Sequence, residues 1–130
     1  VAVRRDGVAD ERGTVINPMN GDGQVVGGGA QGVGAALLEE ISYGSDGQLL
    51  SGSFMDYLIP TAEEVPAVEI RHLVTPSTVH ELGTKGIGEG GTIGSNAGGA
   101  KRRAGGPWGL DGKFQCTPDR VLWLCRAKCR

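Results

Sequence analysis

Aromatic side chains are scarce in this chain, at 5% of 130 residues. The bulky anchors that dominate most cores are therefore few. Cysteine is absent until position 116, then appears at Cys116, Cys125 and Cys129. That C-x8-C-x3-C spacing, with no histidine nearby, matches no common zinc pattern, and free thiols of a cytosolic protein are expected. Charge of either sign is not in excess. The formal net charge is −2, so no broad basic surface invites nucleic acid or anionic lipid. No apolar run approaches the length of a membrane span. The opening Val1-Ala2-Val3-Arg4-Arg5 has neither an initiator Met nor the apolar stretch of a signal peptide. A cytoplasmic protein with an upstream part missing is the expectation.

What is abundant is glycine, with 24 residues. Glycine raises the entropy cost of ordering the backbone and contributes nothing to pack, so the chain is a weak candidate for folding alone. The glycines cluster at 21–34, 83–94 and 98–112, which points to places where the backbone comes close to something.

The periodicities predict an α+β arrangement of short mixed strands and a glycine-led helix. Val1–Val3 reads as a strand end and Arg4–Arg12 as a charged loop. Thr14-Val15-Ile16 is stopped by the turn signal Asn17-Pro18. Ala30, Val33, Ala36, Leu37 and Ile41 recur at helical spacing, and good helix formers dominate only from Ala35, so the secure helix is placed at about 30–41. Gly44–Gly47 reads as a turn between two strands, Phe54–Ile59 as a strand ended by Pro60, and Val68–Val74 as a half-buried strand. Pro76–Leu82 reads as a loop or one helical turn. Thr117-Pro118-Asp119 has the character of a helix start.

Two glycine clusters could carry chemistry. Gly86-x-Gly88-x-x-Gly91 is a literal G-x-G-x-x-G, but a dinucleotide site needs a strand before it, and Pro76–Leu82 is none. Within it, Glu89 stands between Gly88 and Gly90. Such neighbours let the backbone press on a ligand while the carboxylate projects as a general base. From spacing alone a solvated loop carboxylate is the plainer reading. The second cluster, Gly27–Gly34, is expected to open a helix, where free backbone N–H groups suit an anionic cofactor group and Gln31 could bond a polar ring. Close helix packing through glycine accounts for it about as well. His72 and His80 read as structural, and Asp56 and Tyr57 as packing residues.

The order of motifs is more specific than any one of them. Gly13-Thr-Val-Ile-Asn-Pro-Met19, Asp22-Gly-Gln24, Gly27–Glu40, Tyr57-Leu-Ile-Pro-Thr-Ala62, Thr75-Pro76 and Gly83-Thr-Lys-Gly-Ile-Gly-Glu-Gly-Gly-Thr-Ile-Gly94 follow one another in this chain. This series is similar to the xanthine dehydrogenase and aldehyde oxidase family, in particular to large subunits of the aerobic carbon monoxide dehydrogenase type. The resemblance runs from about Thr14 to Gly94 and implies the C-terminal piece of a molybdopterin-binding domain over 1–94. It implies that Glu89 takes the proton of a molybdenum-bound hydroxyl, whose oxygen attacks a carbon of an aldehyde or N-heterocycle. It implies that Gly28, Gly29, Ala30, Gln31 and Gly32, with Lys85, Gly86 and Gly88, lie against the pterin, in the cytosine dinucleotide form of bacterial relatives. No residue of this chain is implied as a metal ligand. Electrons would leave through 2Fe-2S clusters to FAD on partner subunits. The remainder of the large subunit and a small-molecule substrate complete the implied partners, and the isolated chain is expected to be inactive. Two rival readings are an inert truncated fragment and a stand-alone nucleotide-binding module.

The resemblance fails over 95–116, where the family has an Ala/Val-rich helix and this chain has Ala100-Lys-Arg-Arg-Ala-Gly-Gly-Pro-Trp-Gly109. In the frame set by the second base of the Ala100 codon, the degenerate code permits Asn-Ala-Val-x-Glu-Ala-Leu from the following codon on, and Trp108 followed by Gly109 forces Gly next. Thr117-Pro-Asp-Arg-Val121 returns to the family pattern and starts a short C-terminal helix over 117–130. The expectation is a pair of compensating frameshifts around 95–116. The coding DNA checks it: the shifted frame should spell the Asn-Ala-Val helix, and any other reading rules the idea out.

Overall fold

The computed structural model describes residues 3–95. The predicted frameshifted tract beyond Ser95, the expected C-terminal helix and all three cysteines lie outside the described residues. Among them the element order is β1 (Asp6–Glu11), α1 (Pro18–Leu37) and β2 (Val68–Leu73). The strands pair in parallel, in the register Asp6↔Val68 through Glu11↔Leu73. Parallel neighbours need a long crossover, and here it contains α1.

β2 lies where its alternation predicts, with Val68 and Ile70 turned inward. β1 corrects the expected loop over Arg4–Arg12. Its inward positions are Asp6, Val8 and Asp10, so a polar pair hides the alternation. Partners supply what hydrophobicity does not. Arg5 makes a two-pronged bond to Glu69 at 2.9 and 2.8 Å, and Val8 stands opposite Ile70.

α1 is a second correction, since it starts twelve residues before the expected 30 and stops at Leu37. Asn17 and Pro18 do not end a segment; they start one. The Asn17 side chain caps the helix by accepting from the Asn20 amide at 3.1 Å, and Pro18 follows where its missing N–H costs nothing. Seven glycines lie within α1. At about 0.8–1 kcal/mol each relative to alanine they cost on the order of 6 kcal/mol of propensity, so packing has to hold the helix. The buried face runs Gly21, Val25, Gly28, Gly29, Gly32, Val33 and Ala36, a helical stripe made mostly of glycine.

The predicted turn at 44–47 is present. Gly47 adopts a left-handed φ of 82°, and the Gly44 amide donates to the Gln48 carbonyl at 2.8 Å. Its flanking strands shrink to the single Tyr43↔Leu49 bridge. Phe54–Ile59 is not a strand. Ser53 accepts from the Asp56 and Tyr57 amides in a tight turn, and Phe54 and Met55 are 77% and 87% exposed. Their apolar character had suggested a sheet position, but no described strand stands beside them to pair with.

The core is thin. Val25, Val33 and Ala36 are its buried hydrophobic residues among those described, while side chains such as Ile41, Leu50, Met55 and Val79 are exposed. No described helix is long and apolar enough to cross a membrane.

Candidate functional site

The segment 83–95 reaches α1 through two backbone junctions. At the first, residues 83–85 pair antiparallel with 12–14. The Thr14 amide donates to the Gly83 carbonyl at 2.9 Å, and the Lys85 amide to the Arg12 carbonyl at 3.1 Å. Gly13 and Gly83 both have positive φ, 66° and 62°, and a Cβ on Gly13 would stand 2.5 Å from the Gly83 oxygen. Only glycine satisfies both conditions.

At the second junction residues 90–95 form a helical turn that crosses α1 through glycine. A Cβ on Gly91 would lie 2.6 Å from the Val25 carbonyl oxygen and 3.0 Å from the Gly29 nitrogen. One on Gly28 would meet the Thr92 nitrogen at 3.1 Å, and one on Gly32 the Thr92 oxygen at 2.8 Å. Backbone lies on backbone. Side chains add two links: Thr92 Oγ1 donates to Gln31 Oε1 at 3.3 Å, and Gln24 Nε2 donates to the Gly88 carbonyl at 3.1 Å.

Glu89 sits between these contacts as the N-cap of the 90–95 turn. Its carbonyl accepts from the Thr92 and Ile93 amides at 3.0 and 3.2 Å. Its exposed side chain has no hydrogen-bond partner among the described residues. The turn is therefore fixed by its backbone while the carboxylate stays available.

The fold revises the ground for one set of predicted contacts. Gly28, Gly29, Ala30, Gln31 and Gly32 do not open a helix; they occupy the middle of α1, where amides are engaged in the helical ladder. Gly28, Gly29 and Gly32 are buried, which is the packing alternative, whereas Gln31 is exposed beside Thr92. Lys85, Gly86, Gly88 and Glu89 are exposed together on the other side of the junction. Gly86 and Gly88 have neither a positive φ nor any described atom within 4 Å of a built Cβ. Neither turn geometry nor internal packing demands glycine there, so bare backbone flanks Glu89. The G-x-G-x-x-G follows a loop rather than a strand, which removes the dinucleotide geometry.

Beneath this segment lies a buried guanidinium that sequence reading missed. Arg12 is 4% exposed. It donates from Nε to Asp10 at 2.5 Å, and from Nη2 to Asp22 at 3.2 Å and to His72 Nδ1 at 2.9 Å. Arginine can only donate, so His72 Nδ1 is the acceptor; Nε2 then carries the proton toward Asp22, 3.2 Å away. One side chain thus ties β1, α1 and β2 together. Gly21 makes room for it, since a Cβ there would fall 2.2 Å from Nη1. Above it a cleft of about 320 Å³ is lined by Asn17, Gln24, Lys85 and Ile87 among others, but not by Glu89 or Gln31. The other histidine, His80, bonds the Thr84 carbonyl through Nε2 at 3.0 Å. Tyr57 lies in the 53–57 turn and donates to Glu39, which raises the Tyr57 pKa.

Residues 1–66 match the family model described as a molybdopterin cofactor-binding domain. The chain belongs to that family. It is 39% identical over 116 residues to the nicotine 6-hydroxylase large subunit of Paenarthrobacter nicotinovorans, covering 87% of this chain and 14% of that protein. It is 43% identical over 93 residues to the carbon monoxide dehydrogenase large chain of Hydrogenophaga pseudoflava, covering 72% and 12%. The quinoline 2-oxidoreductase structure from Pseudomonas putida 86 superposes with a TM-score of 0.81 at 37% identity, over 94% of this chain and 16% of that one. The α+β fold is thus that of a fragment of the molybdopterin-binding domain, and the chain spans under a fifth of the length of these relatives.

The loop's outer anchor has a pH signature. The Lys85 ammonium bonds Glu11 at 2.7 Å and, with the Gly13 amide, holds that carboxyl below its ordinary 4.5. A carboxyl whose pKa falls on folding stabilises the fold fully above its unfolded value. It loses that stabilisation as pH falls through the lower folded value. Unfolding of the complete subunit should show Glu11→Gln less stable than the parent at neutral pH, with the gap closing below pH 4.5. Equal stability at neutral pH would contradict this.

Proposed function

We propose that this chain is the part of a molybdenum hydroxylase large subunit that presents Glu89 as the general base. The observation carrying the reading is a carboxylate left free at the N-cap of a turn whose backbone is locked onto α1. The neighbouring backbone suits the pterin: Gly86 and Gly88 offer an open surface with no side chains, and Gln31 offers an amide across the junction. Lys85, Gly28, Gly29, Ala30 and Gly32 frame that surface, and in this reading the buried glycines act by packing rather than by direct contact.

The bound group, here the cytosine dinucleotide form of the molybdenum pterin, would supply the transferred oxygen and accept two electrons. The chain's own task is proton handling and position. Glu89 accepts one proton on its carboxylate as an aldehyde or N-heterocycle carbon is hydroxylated. Electrons would pass to 2Fe-2S and FAD partner subunits in the cytoplasm. The number of large apolar side chains left exposed over 41–59 supports cover by the remainder of the large subunit. In this reading residues 1–94 form the domain piece, ahead of the tract for which a frameshift is proposed.

Glu89→Gln in the complete, cofactor-loaded subunit tests the reading. It keeps the shape and removes the base, so kcat should fall about 10²–10⁴-fold at unchanged molybdenum content. A parental kcat would refute it.

A further inference from the structure

We infer that Gln24 is a positioning residue for the Glu89 loop; the inference rests on Glu89 being the base. Gln24 lies on α1 one turn ahead of Gly28, on the face that receives Gly91 and Thr92. Its Nε2 donates to the carbonyl of Gly88, the residue directly before Glu89. That carbonyl lies in the peptide plane that ends at the Glu89 nitrogen, so holding it fixes the orientation from which the Glu89 side chain departs.

No other described hydrogen bond holds this stretch from the N-terminal side, where Ile87 reaches α1 through apolar contact near Gly21. The Lys85 amide bonds Arg12, and the next backbone contact with α1 is at Gly91. Between them Gly86 and Gly88 have open space around them and a glycine's freedom to rotate. Among the described residues, the Gln24 bond is the hydrogen bond from the rest of the fold to residues 86–90. Gln24 and Gln31 thus bracket Glu89 from one helix, one at Gly88 and the other at Thr92. Both are neutral amides. A lysine in place of Gln24 could also donate to Gly88, but would set a cation beside the base and favour its charged form. The amide holds the loop without that charge.

Sequence spacing could have exposed this residue. Once α1 is seen to begin at Pro18, Gln24, Gly28, Gln31 and Gly32 fall on one helical face.

The test uses the complete subunit, cofactor-loaded and assembled, with Gln24→Leu, Glu89→Gln and the double variant. Gln24→Leu should keep molybdenum content and KM near parental values while kcat falls about 10–100-fold, the scale of a misplaced catalytic group. Amide exchange in the peptide covering 86–92 should speed up about tenfold, because local opening becomes easier. In the Glu89→Gln background, Gln24→Leu should lower kcat by less than about twofold, since a residue acting through Glu89 has nothing left to position. Unchanged exchange in Gln24→Leu overturns the hold on the loop. Molybdenum lost in proportion to rate, or an undiminished kcat loss in the double variant, overturns the route through Glu89. A parental kcat in Glu89→Gln overturns the underlying base assignment instead, a result distinct from any of these.

Discussion

The contact on which the site depends is glycine backbone against glycine backbone, where the turn at 90–95 crosses α1. Gly28, Gly32 and Gly91 each have a neighbour within 3.1 Å of the place a Cβ would occupy. The same glycines weaken α1 as an isolated helix. What looks like a defect in helix propensity is the condition for two backbones to meet, and the meeting places Glu89 one residue from an anchored carbonyl on one side and two from an anchored glycine on the other. Packing supplies here the order that sequence propensity withholds.

This inversion explains which elements could be read in advance. β2 has apolar inward positions and was legible, as was the Gly44–Gly47 turn. β1 was not, because Asp6 and Asp10 take inward positions, and the strand is held by a partner distant in sequence, β2. The first half of α1 was hidden by its glycines, whose value lies in contacts 60 residues away. Phe54–Ile59 misled in the opposite way: apolar residues without a described partner form a turn. Glu89 stood out through the order of surrounding motifs, not through its own spacing. Arg12 could not be singled out, since an arginine in a charged run shows nothing of the contacts it makes, and the role of Gln24 is visible only once α1 is known to start at Pro18.

Arg12 has the complementary role beneath the crossing. Its bonds to Asp10, Asp22 and His72 join three elements that have few apolar side chains to share. Nη1 has no acceptor among the described residues, and burying such a donor costs about 1–3 kcal/mol. With only Val25, Val33 and Ala36 as buried hydrophobic residues among those described, the fold leans on close backbone contact and on one polar junction. That is a workable design for a segment seated in a larger family domain, and a meagre one for a segment on its own.

The central claim, that the crossing holds in place the turn carrying the proposed base Glu89, is tested most directly by comparing Gly91→Ala with Gly94→Ala in the complete cofactor-loaded subunit. Both add one methyl to the same turn, but Gly91 faces the Val25 carbonyl at 2.6 Å while Gly94 has no described atom within 4 Å. The account predicts that kcat falls at least about tenfold in Gly91→Ala and changes by less than about twofold in Gly94→Ala. Equal kcat in the two variants would contradict it.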